Sequence, residues 1–424
     1  MNIEFSMGPS KSARRLDEPE IRNIVVVGSF SNDPDGNMFN LDPLEIDRHL
    51  ARLQPSATVH IGDQDMELSF RQMDDFHPDE LLKLLPEFDD SAVAEPDNPP
   101  PASPEDSEDS GDDMFERLLG KPKSSAGPAS PAVKSTMDRL LADAVGSESA
   151  PPRESATTRS GKDAWSTAIL RETLGSPSLK HVESNWRSLA WLGEQLDYDE
   201  ETGLWAVDAD TADIKGLAER LPGQVAAGPG TAHSVVVLRE FGDTDEDRRE
   251  LAELSKLAAA LNAKAFAAAA PDAAGLSGNL DSSVGLDAGD FSAAVSNEWT
   301  DARLASSSVC LGFPSFLLRQ PYGKSSDPID SFGFEELPGD ASWNAFAWGN
   351  AGLPLLVMYY LGEFSLGDFP MVVFEQAGGQ AIKPPSGVYI TDSASDALLA
   401  RGITPLLSKR GDTGLYVPTL LFGK

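Results

Sequence analysis

The sequence predicts a mixed α/β chain with two folded parts on either side of a long acidic linker. Three observations carry that reading. Short β-branched runs such as Ile24-Val25-Val26-Val27 alternate with stretches whose apolar residues recur every three or four positions, the periods of strand and helix. His233–Leu238, a leucine-spaced helix and Lys264–Ala268 follow in β-α-β order, which points to parallel pairing under a covering helix. Between about Phe88 and Lys162 the composition changes to proline, serine and acid, with no lysine or arginine from Leu84 to Glu116. Such a segment buries too little apolar surface to offset its ordering entropy. The parts expected are therefore 1–88, a disordered linker 89–162, and 163–424.

In the first part, Ile3, Phe5 and Met7 alternate with polar neighbours as a half-buried strand does, before Gly8-Pro9 breaks the pattern. Ile24–Gly28 reads as a buried strand. Asp42 is placed to cap a short helix that opens on Pro43 and carries Leu44, Ile46, Leu50 and Leu53. Thr58–Ile61 and Met66–Phe70 form a hairpin around Gly62-Asp63. His77-Pro78 introduces a helix over Glu80–Leu85, stopped by Pro86. Within the linker, Met114–Leu119 and Met137–Leu141 are islands with one apolar face, marginal as helices alone. Phe115, Leu118, Leu119, Met137, Leu140 and Leu141 are the candidate docking residues, with weak helices packed on the parent domain as the alternative.

In the last part, Leu179, Val182, Trp186, Leu189 and Leu196 make an amphipathic helix with Trp186 as a core anchor. Val309–Phe313, Met371–Phe374 and Gly387–Ile390 are read as continuing the sheet, with helices near Ala351–Leu361 and Asp396–Arg401. The uncharged run Ala341–Gly362 contains Asn344, Gly349, Asn350 and Pro354, which suit a buried helix and its approach loop better than a bilayer span.

Composition narrows the function classes. With 34 basic against 68 acidic residues, the formal charge of −34 repels nucleic-acid backbones and anionic lipid and favours basic partners. Cys310 stands alone in an apolar run, so an intrachain disulfide framework and a cysteine-rich metal site are excluded, and a reducing, cytoplasmic location is expected. No phosphate-loop or dinucleotide fingerprint occurs, the five histidines form no close ligand pair, and Ser306–Ser308 lacks a nucleophile elbow. No catalytic residue, cofactor or metal site is expected.

Longer motifs then line up. Leu311-Gly312-Phe313-Pro314 with Leu317–Gly323, Phe332–Glu336, Trp348-Gly349-Asn350-Ala351, Ile390-Thr391-Asp392 and Gly402–Leu406 resembles the large contractile-sheath protein of bacterial type VI secretion systems (TssC/VipB type). Leu179–Leu189, with Trp186-Arg187, is similar to a helix of that family. Over the first ninety residues, Ile24–Phe30, Ile46-Asp47 and Leu68…Asp79 resemble the small sheath subunit (TssB/VipA type). The resemblance implies a fused structural component that polymerises around an inner tube and contracts. Its implied partners are further sheath subunits or itself, the inner tube protein, a disassembly ATPase and a baseplate. It implies architectural roles for Trp186, Arg187, Pro314, Arg319, Pro321, Tyr322, Gly323, Glu335, Glu336, Trp348, Gly349 and Asn350. Arg319 is expected to pair with Glu335 or Glu336, and Ile3, Phe5 and Met7 either to exchange with a neighbouring subunit or to form an ordinary edge strand of the chain's own sheet. The family's large subunit continues beyond the point matching Lys424, and the small-subunit part gives way to the linker after Pro86. The expectations are thus a sheath unit completed by a separate chain, or a non-polymerising, sheath-derived adaptor.

Overall fold

Seven strands form one sheet, and Arg22–Gly28, from the first ninety residues, lies in its interior. The computed structural model describes residues 22–62, 64–85, 156–196, 202–276, 280, 285–291, 295–337, 345–376 and 379–423. Ile3–Met7 and both linker islands lie outside the described residues. Among the described residues, those of 22–85 and those from 165 onward form one compact unit.

The strands in chain order are β1 (Arg22–Gly28), β2 (Asn37–Asn40), β3 (Ser56–Ile61), β4 (Gln64–Ser69), β5 (Thr202–Asp208), β6 (Ser234–Phe241), β7 (Lys264–Ala269) and β8 (Val309–Phe313). They continue as β9 (Phe316–Leu317), β10 (Trp348–Gly349), β11 (Ser365–Leu366), β12 (Val372–Gln376), β13 (Gly379–Lys383), β14 (Thr404–Pro405), β15 (Leu407–Ser408) and β16 (Leu415–Tyr416). The helices are α1 (Ile46–Leu53), α2 (Pro78–Leu84), α3 (Ala156–Gly175), α4 (Pro177–Gln195) and α5 (Ile214–Ala227), then α6 (Asp245–Leu261), α7 (Asn297–Ala305), α8 (Gly352–Leu361) and α9 (Asp392–Ala400).

β1 pairs in parallel with β5 along its full length and with β6 on its other side. β7, β8 and β14 extend the parallel array, whereas β2 closes the opposite edge antiparallel to β5. The predicted β-α-β unit is β6-α6-β7. Ile24, Val25, Val26 and Val27 are all 0% exposed. Both faces of β1 are covered, which explains a continuous apolar run in place of alternation. Ile24 and Val26 join the core that holds α4, α8 and the β3–β4 hairpin; Val25 and Val27 join the core under α5, α6, α7 and α9. Each such side chain contributes about 1.5–3 kcal/mol on burial. Segments read from the sequence as separate folded parts therefore share one sheet, a long-range pairing that composition does not reveal.

Local chemistry sets the helix ends. The Asp42 carboxylate accepts from Leu44 N ahead of a 3₁₀ turn at Pro43–Glu45 that runs into α1. His77 caps α2 by accepting from Asp79 N, with Pro78 in the first turn. Thr244 caps α6, whose first turn carries Asp245, Glu246 and Asp247, and Asn262 ends it in the left-handed conformation. Two expectations are corrected. Gly387–Ile390 is a turn with a single bridge, Leu286 to Ile390. Val372–Gln376 pairs with Gly379–Lys383 as a separate hairpin and not with the main sheet. Within the apolar run Ala341–Gly362 the described residues form β10 and the ten-residue α8, and no described helix is long and apolar enough to cross a membrane.

Candidate functional site

The family-motif residues on α4 and on the loop after β9 converge on a buried ion cluster. Glu183 and Arg187 lie one turn apart on α4, so their side chains meet: Arg187 Nε is 2.7 Å from Glu183 Oε1. Arg319 reaches the same oxygen at 2.7 Å and Glu336 Oε2 at 2.7 Å. The Glu183, Arg319 and Glu336 side chains are 1%, 10% and 3% exposed, so water screens little of this. Removing two carboxylates and a guanidinium from water is costly, and the cluster offsets it by pairing every charge at short range. Burial pushes the Glu183 carboxyl up, but Arg319 and Arg187 outweigh it and hold its pKa at about 2. Burial likewise disfavours the Arg319 charge, yet Glu183 and Glu336 keep that guanidinium well above its ordinary range.

Tyr322 ties the cluster to the first segment of the chain. Its N–H donates to Glu336 Oε2 at 2.8 Å, and its hydroxyl accepts from Arg187 Nη2 at 2.8 Å. That hydroxyl donates onward to the Phe76 carbonyl at 3.4 Å, and the His77 ring stands edge-on to the Tyr322 ring at 5.1 Å. The Arg319 guanidinium lies over the Tyr322 ring at 4.1 Å. Burial pushes the phenol up to about 12, so it stays protonated as the donor the Phe76 carbonyl needs. Asp79 adds a second link by accepting from Asp330 N and Ser331 Oγ, each at 3.1 Å.

The remaining motif residues set the frame. Trp186 is 0% exposed and meets Phe30 edge-on at 5.7 Å, joining α4 to the loop after β1. Arg319 pairs with Glu336 and not with Glu335; Glu335 instead bridges Gly323 and accepts from Lys324 N at 3.2 Å. A Cβ on Gly323 would lie 2.3 Å from the Glu335 carboxylate, so a larger residue there would push that exposed side chain aside. Pro314 follows a cis peptide bond and is buried, and Pro321 is half-buried beside Tyr322. Trp348-Gly349 pairs antiparallel with Phe316-Leu317, bringing Gly349 against the Phe316 ring. Asn350 Oδ1 accepts from Gly352 N at 2.9 Å and Nδ2 donates to the Arg239 carbonyl at 2.8 Å, pinning the start of α8 to β6.

Two contributors escape the list of motif residues. Glu183 stands off the apolar stripe of α4 and reads in sequence as a surface acid, but the structure buries it to 1% exposure. Asp208 ends β5 and accepts from Phe30 N at 2.7 Å and Ser31 N at 3.1 Å. Among the described residues, no three of His, Cys, Asp and Glu are placed to hold a metal ion. Cys310 is fully buried beside Thr404, and burial pushes its thiol up to about 11.

Residues 163–364 match the family profile described as EvpB/VC_A0108, tail sheath N-terminal domain (VipB). This region is similar to the VipB-type tail-sheath domain. The chain is also 26% identical, over 285 residues, to the type VI secretion system sheath protein TssC1 of Pseudomonas aeruginosa PAO1, covering 58% of this chain and 57% of that relative. The chain thus spans little more than half the length of that curated relative. The tail-sheath match takes in α4, the Arg319 loop and β10, so the ion cluster lies within it apart from its contacts to Phe76 and His77.

Proposed function

We propose that this chain is a structural component of a type VI secretion-like contractile sheath, polymerising around an inner tube and contracting to drive it outward. The observation that carries the proposal is the tail-sheath match at residues 163–364. In support, the matched region spends its polar residues on internal pairing: Glu183, Arg187, Arg319, Tyr322 and Glu336 satisfy one another and the backbone. That arrangement suits a part that bears load more than one that turns over substrate.

On this reading, residues 1–88 play the small-subunit part and the acidic segment 89–162 tethers them to 163–424 in a fixed one-to-one ratio. The insertion of β1 between β5 and β6 supports an obligate union of the two segments. Neighbouring sheath subunits are the primary partners, with Ile3, Phe5 and Met7 as the strand-exchange segment. The inner tube and baseplate are further partners. A disassembly ATPase docks on Phe115, Leu118 and Leu119 or on Met137, Leu140 and Leu141.

Electron microscopy of the full chain, alone and with the products of neighbouring genes, tests the proposal. Tubules with helical striations are expected. A particle that stays monomeric under every combination contradicts polymerisation and favours a sheath-related adaptor.

A further inference from the structure

The main sheet reverses direction at β1. The chain fills one side of β1 with β2 and β5, then crosses to the other with β6, β7 and β8. In open parallel sheets such a reversal leaves a crevice at the carboxyl ends of the flanking strands, where ligands bind. Here a cleft of about 590 Å³ lies at that place, between the last residues of β6 and one face of α4. Its walls include Ser184, Asn185, Glu240, Ser315 and Trp348. Asn185 marks the position by donating to the Ser29 carbonyl, just past β1, at 2.9 Å.

The cleft is not built for phosphate. The amides that would face an anion after β1, those of Phe30 and Ser31, are taken by the Asp208 carboxylate. The opposite charge fits better. The β6–β7 register shifts between Val236 and Glu240, an irregularity that re-aims the end of β6. Glu240 keeps an exposed side chain there, takes a hydrogen bond from Ser315 Oγ at 2.9 Å, and forms no ion pair among the described residues. Surrounding bulk nonetheless pushes its carboxyl up, with Asp272 adding to the effect. Trp348 and Phe346, 5.6 Å apart, form an aromatic wall. Of the two cations that line the cleft, Arg239 is paired with Asp247 at 2.7 Å, and burial lowers the pKa of Lys180. His181 contacts Asn185 at 3.3 Å, and burial favours its neutral form.

We propose that this cleft receives a lysine or arginine side chain carried on a partner polypeptide, its cation meeting Glu240 and the Trp348 wall. The volume exceeds one side chain, which leaves Ser184 and Asn185 to meet the flanking backbone. A chain of formal charge −34 also draws basic partners.

Calorimetry of the full chain with acetyl-Gly-Arg-Gly-amide, and with the same peptide carrying neutral citrulline, tests this. Saturable binding of the arginine peptide is expected, at least tenfold weaker for citrulline and at least tenfold weaker in Glu240→Gln. A thermal melt of Glu240→Gln matching the wild type establishes that the variant is folded. A Ser315→Ala variant, which keeps the charge, is expected to retain binding within about threefold. Absence of saturable binding, equal affinity for citrulline, or undiminished affinity in folded Glu240→Gln overturns the proposal. Free argininamide binding as tightly as the peptide overturns the assignment to a polypeptide.

Discussion

Glu183 and Arg319, 136 residues apart in sequence, form a 2.7 Å ion pair whose side chains are 1% and 10% exposed. Truncating one partner of such a pair leaves the other charge buried and uncompensated. Arg319→Met is therefore expected to cost about 3–5 kcal/mol by urea unfolding. An effect within 1 kcal/mol would show that the pair contributes little.

The same pair sets an acid limit. The Glu183 carboxyl is held at about 2 against an ordinary 4.5. A depressed carboxylate contributes stability that is fully present above its unfolded pKa and lost as pH falls through the folded one. The stability difference between wild type and Glu183→Gln should be constant above about pH 5 and shrink between 4.5 and 2. A difference independent of pH across that window contradicts the assignment.

Glycines in the region that matches the tail-sheath profile separate packing from conformation. A Cβ at Gly352 would lie 2.7 Å from the Ala267 backbone nitrogen, which cannot move without shifting β7. Gly352→Ala should cost about 1–3 kcal/mol by overpacking. Gly333 has nothing within 4 Å of its would-be Cβ, so Gly333→Ala should stay within about 0.5 kcal/mol. Thermal melts that reverse this order would count against the packing of α8 on β7.

Cys310 is 0% exposed with its thiol pushed up to about 11. Labelling by a thiol reagent at neutral pH should follow the unfolding rate and show no fast phase. Rapid labelling of the native chain would contradict its burial between β7 and the chain's final residues.

Much of this was legible in the sequence where a local signal exists. The β-branched run of β1, the α4 stripe through Trp186, and the Asp42 and His77 caps each declare themselves within a few residues. Val309–Phe313 was read to the residue. Pro222-Gly223 looks like a helix break in sequence, yet α5 runs through it. β2 and β5 carry weaker local signals: Met38-Phe39 is a two-residue apolar pair between asparagines, and Leu204–Val207 is a run of only four apolar residues. At the site, the motifs named Arg319, Tyr322 and Glu336 together, but not that Phe76 and His77 close the cluster. That contact is made across more than two hundred residues, and no local pattern encodes it.

That residues 22–85 and 165–424 are one fold is the claim on which the rest depends. Inserting a protease site after Gly120 and cutting the native protein tests it most directly, with size-exclusion chromatography as the readout. With β1 held between β5 and β6 and Tyr322 bonded to Phe76, the two pieces should co-elute and part only in denaturant. Separation of two folded pieces in native buffer would contradict it.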